Sequence, residues 1–237
     1  MRREPWHERL PAAEHYLWFQ NLVELHELTN LWLKEVQIEY SQHAVHRGFS
    51  KRVTENLWML NSLTEHKFED YLDDTTPEDV LARLEHAVWA TQAWTLNHFR
   101  IQTPEDSREA IETVLEQICW KAGRRCAEKR WSRWIQKDGK PGTDLRDILL
   151  AFQDSPLSRS SRQESFLLRR GVQNLVEVEL LTCPHRLPYH ETHEVADWLC
   201  RLHWNFLKGY AYALNSKTVS EFKISQPRCV HRWHLEH

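Results

Sequence analysis

Glycine is scarce, with 6 in 237 residues. Tight turns and left-handed backbone draw on glycine, so its scarcity argues against a meandering all-β chain and for long helices. No apolar run approaches the roughly 18 residues that cross a bilayer. The basic start MRREPWHERLP lacks the apolar stretch of a secretory signal. No charge of one sign dominates: 31 Lys and Arg face 34 Asp and Glu, a formal −3. Neither a general nucleic-acid surface nor an anionic-membrane surface is expected. A glycine-rich phosphate loop, a Gly-x-Ser-x-Gly elbow and a His-Glu-x-x-His helix are all missing. Glu65-His66 and Glu85-His86 are adjacent pairs, so the Glu-x-x-His spacing of a di-iron bundle is missing too. Five cysteines, an odd and modest number, fit a reduced setting better than a disulfide framework. The cytoplasm is the expected compartment.

What the chain has in excess is tryptophan, 12 in all. So many large rings imply buried packing or an aromatic-lined cavity. Apolar residues at helical spacing, Trp18, Leu22, Leu25, Trp32 and Val36, predict a first helix over 12–40. His26 beside Glu27 reads as a flank histidine of that helix, not as a ligand. A second helix is predicted over 50–72 with Phe68 inward. Two TPED segments, 76–79 and 103–106, each offer Thr as N-cap, Pro at the first position and two acids in the first turn. The helix after the first carries Val80, Leu84, Ala87 and Trp94, with His98 as a core residue. The helix after the second is predicted over 104–135, with Cys119 and Cys126 one heptad apart in buried structural positions. The cations of GRRCAEKRWSRW sit where the helix dipole favours them.

Beyond a turn at KDGKPGT, a short helix over 144–153 and a polar segment SPLSRSSRQE, the period falls from helical to two. That polar segment is the natural boundary and the candidate flap. Val172, Val176, Val178 and Leu180 predict a strand ending at Cys183-Pro184. A helix follows over 191–214, then a closing antiparallel pair, KTVSEFKIS and RCVHRWH. The expected fold is α+β: an N-terminal helical bundle packed on a small C-terminal antiparallel sheet, with one long helix after the first strand.

Chemistry-bearing residues gather late. Cys183, His185, His190, His193, Cys200 and His203 fall within 183–210, and Cys229, His231 and His234 follow. Thiols and imidazoles are the common nucleophiles and metal ligands. A Cys/His pair, Cys229 with His231 or Cys183 with His185, would let a base activate a thiol. His203 is a third candidate base. Asp197, a turn before Cys200, would orient a histidine or simply face solvent. As a metal site, Cys183, Cys200 and Cys229 with His203, His185 or His231 would make a closed Cys₃His set for zinc or iron. No Cys-x-x-Cys knuckle is present, and no cofactor is required by any motif. A third reading has no catalysis: a small-molecule sensor, or a partner subunit using its aromatic cavity or a sheet edge for a peptide.

A strand ending in Cys183-Pro184, a following helix holding Cys200 and closing strands with Cys229 near the end resemble the L-2-amino-thiazoline-4-carboxylic acid hydrolase family. In outline they are similar to the related four-vinyl-reductase ligand-binding domains. The segment GRRCAEKRW fits the same outline. The resemblance covers roughly 105–234, and the first hundred residues are similar to a helical extension that some members carry. Gln226-Pro227 stand where the family has Gly-Asp, and Val230-His231 where it prefers an acid or polar residue and then an aromatic one. The resemblance implies a division into 1–100, a helical extension, and 101–234, an α+β hydrolase-like domain. The last three residues, 235–237, read as the start of an appended histidine tag. The activity it implies is hydrolysis of a C–N bond in a small heterocycle or amide. Cys229 or Cys183 would be the nucleophile.

Overall fold

Leu22, Leu25, Leu28 and Trp32 fall on one face and are buried, and that stripe organises α1 (Ala13–Tyr40). The computed structural model describes residues 13–40, 65–72, 76–131, 166–170, 175–180, 193–225 and 228–235. The described part of the second predicted helix is not α-helical. Residues 65–67 turn, and a single 3₁₀ turn spans Phe68–Tyr71, opened by Lys67 N–H donating to Asp70 Oδ2 at 2.8 Å. Phe68 points inward as expected and stacks on Phe19 of α1, with ring centroids 5.3 Å apart.

α2 (Pro77–Gln102) begins as its TPED segment dictates: Thr76 is the N-cap, and its hydroxyl accepts from Asp79 N–H at 3.2 Å. The second TPED behaves differently. Thr103 is the C-cap of α2, its N–H bonded to Phe99 O at 2.9 Å, and Pro104 takes the N-cap place of α3 (Glu105–Arg130) with no side-chain cap. Two helices joined so closely cannot both claim Thr103, and the completed turn of α2 holds it. α3 closes one turn earlier than predicted, on Trp131.

The single strand expected from Val172 is half of a hairpin. β1 (Phe166–Arg170) pairs antiparallel with β2 (Leu175–Leu180), so the sheet begins before Gly171. α4 (His193–Leu214) follows, then β3 (Thr218–Ser225) and β4 (Arg228–Leu235), the closing antiparallel pair. The sheet order is β1-β2-β4-β3, which puts β4 inside. The architecture is α+β and mostly helical. The turn at 137–143, the helix at 144–153 and the polar segment at 155–164 lie outside the described residues.

The main core joins the four described α-helices: Leu28 and Trp32 of α1, Leu96 of α2, Leu115 of α3 and Leu199 of α4, with Trp233 of β4 seated among them. Buried residues on either side of residue 100 share this cluster. A second cluster packs α1, the 3₁₀ turn and the start of α2 around Phe68, Leu81 and Trp89. α3 and α4 meet backbone to backbone. A Cβ on Gly123 would stand 1.9 Å from Phe206 O, and one on Gly209 would stand 1.9 Å from Trp120 O. Each glycine is where the other helix's main chain must pass.

Candidate functional site

Cys200 and His203 lie one turn apart on α4, both buried beside the Leu199–Leu202 stripe. His203 belongs to a polar seam between helices. Its Nε2 is 3.0 Å from Gln92 Oε1, and the Gln92 amide nitrogen donates to Leu25 O at 3.1 Å. That second bond fixes which end of the amide is oxygen, so Nε2 of His203 must be the donor. A base role for His203 would then fall to Nδ1. Trp89 closes the seam edge-on, 5.0 Å from the imidazole, and its Nε1 donates to buried Glu85 at 3.2 Å. The seam ties α1, α2 and α4 in one register, because each polar group finds its partner only there.

Cys229 and His231 lie on β4, opposite Leu180 and Val178 on one side and Ile224 and Phe222 on the other. Trp233 continues the alternation and is buried. Cys183 and His185 lie outside the described residues, as does His190. Asp197 is half-buried on α4. Among the described residues no three His, Cys, Asp or Glu side chains converge on a metal position.

The other two thiols are structural. Cys119 accepts from Trp32 Nε1 at 3.2 Å, and burial pushes its pKa well up. Cys126 donates to Glu24 Oε2 at 3.1 Å. Burial first, then the Glu24 charge, pushes its pKa up, with Arg130 opposing. Both stay thiols near neutral pH, which removes the nucleophilic form.

Next to Cys126 the surface opens into a cleft of about 390 Å³ between α1 and α3. Leu28, Leu31, Ile118, Ala122 and Phe206 give it apolar walls. Lys121, Arg125 and Lys129 stand along α3 at four-residue intervals, and Glu24 and Glu27 face them from α1. Behind the cleft, Arg130 Nη2 holds Glu24 Oε2 at 2.7 Å and Asn21 Oδ1 at 2.6 Å. Glu24 Oε1 is buried and has no hydrogen-bond partner among the described residues. Arg125 and Lys129 belong to the segment GRRCAEKRWSRW whose cations the helix dipole accounts for, and Lys121 lies just before it. Glu24 carried no local signal, since its partners lie on another helix about a hundred residues on. No family model matches the chain, and no curated protein or solved structure matches it.

Proposed function

We propose that the protein is a non-catalytic small-molecule receptor, a ligand sensor or partner subunit, with its site in the cleft between α1 and α3. The observation that carries this is the cleft itself, about 390 Å³ with apolar walls and charged groups along its mouth. That is the volume and lining of a small-ligand pocket. The rival is C–N bond hydrolysis at Cys229 or Cys183, with His231, His185 or His203 as base. Cys119, Cys126 and Cys200 are buried and the first two are held protonated, so that rival rests on Cys229 and Cys183 alone.

One experiment reads both. The neutral dye N-phenyl-1-naphthylamine is titrated into the full chain and into Ala122→Phe, which fills the cleft from its wall. Saturable uptake near one dye per chain, lost in a variant whose melting temperature is kept, is the expected result. Uptake indifferent to Ala122→Phe would overturn the assignment. Iodoacetamide kinetics at neutral pH complete the test. A thiol alkylated far faster than free cysteine would put the hydrolase in front.

A further inference from the structure

The cleft is not evenly charged. Three cations, Lys121, Arg125 and Lys129, line it against two carboxylates, Glu24 and Glu27. One of those carboxylates is already spent, because Arg130 pairs with Glu24 from behind. The α3 row is therefore the dominant field at the mouth. All three of its residues are exposed, and among the described residues no carboxylate pairs with any of them. At four-residue spacing they form a single edge, so a carboxylate docked on one is flanked by the next.

The opposite wall offers less charge. Glu24 has one oxygen saturated by Arg130 and the Cys126 thiol. Its other oxygen, Oε1, is buried, so it is closed to a ligand in the cleft as it is to water. Leu28, Leu31, Ile118 and Ala122 give the lining an aliphatic body, and Phe206 adds a ring.

Resting on the receptor reading of this cleft, we infer that its ligand is an amphiphilic monocarboxylate: the carboxylate on the Lys121–Arg125–Lys129 row and an apolar body on Leu28, Leu31 and Ile118. A single aromatic ring with a short acid chain fits within the cleft volume.

Two matched probes test this by calorimetry on the full chain: 3-phenylpropionate, and 3-phenylpropan-1-ol, which lacks the charge. The acid binds about tenfold tighter, the worth of one charge-assisted hydrogen bond. The triple variant Lys121→Gln, Arg125→Gln, Lys129→Gln, altered only on the exposed edge, brings the acid down to the level of the alcohol. Equal affinities for acid and alcohol in the native chain would overturn the anionic class. In that case, dye uptake that Ala122→Phe still abolishes would show the cleft to be a receptor for another class. No uptake of dye or probe would bring down both.

Discussion

The Glu24–Arg130 pair is nearly out of water, with side chains 13 % and 12 % exposed. Such a pair adds little over two apolar residues of equal volume, but breaking it strands a charge. Arg130→Leu is expected to lower stability by about 3–5 kcal/mol. The double change Glu24→Leu with Arg130→Leu should return most of that, as chemical denaturation of the three variants will show. At the other end of α1, Tyr16 OH donates to Glu69 Oε1 at 2.6 Å on the surface. That bond holds the Glu69 carboxyl below its usual 4.5 and raises Tyr16 above its usual 10.0. Because the folded pKa of Glu69 is the lower one, its contribution is complete above 4.5 and lost as pH falls through the folded value. The gap in melting temperature between native and Tyr16→Phe protein should thus hold from weakly acidic to weakly alkaline pH and close in acid. A gap that persists in strong acid would mean the hydroxyl holds the neutral Glu69 carboxyl as firmly as the ionised one, since phenylalanine keeps the ring contact with Phe68, 5.7 Å away.

At the scale of elements, α3 against α4 is the contact on which the helical layer depends. Main chain touches main chain at Gly123 and Gly209, so neither position tolerates a methyl group without pushing the helices apart. Gly209→Ala should cost about 3 kcal/mol or more, although alanine is the better helix former by roughly 1 kcal/mol. A circular-dichroism melt that instead rises would show that the two helices can separate cheaply. Local rules located most elements. Periodicity set α1 and α4 to within two residues, since burial of one face repeats every turn. Capping set the start of α2 at Thr76. The same rule misplaced Thr103, because a residue between two adjoining helices answers to whichever end is already bonded. β1 was missed because FLLRR is too short for alternation to declare itself. Nothing in α4 announces that Gly209 faces a backbone, since that depends on Trp120 of another helix.

Taken whole, the molecule spreads its core over residues at both extremes of the described chain. Leu28 and Trp233 belong to one cluster, and the polar seam through Gln92 and His203 runs inside the same bundle. The α+β class was readable in advance, and so was the order apart from β1 and the 3₁₀ turn, because period and punctuation carry both. The cleft was not, because it exists only where α1, α3 and α4 come together around Glu24, Cys126 and Phe206. The interior place of β4 has a consequence for synthesis. As the chain leaves the ribosome, β1 and β2 can form their hairpin and β3 can emerge, yet β2 and β3 have no bond to one another until β4 arrives between them. Until then both strands show open hydrogen-bonding edges to every neighbouring nascent chain, and the slot for Trp233 stands empty. A translation arrest or frameshift a few codons before β4 would therefore release nearly all of the sequence in a form that invites chaperones and aggregation.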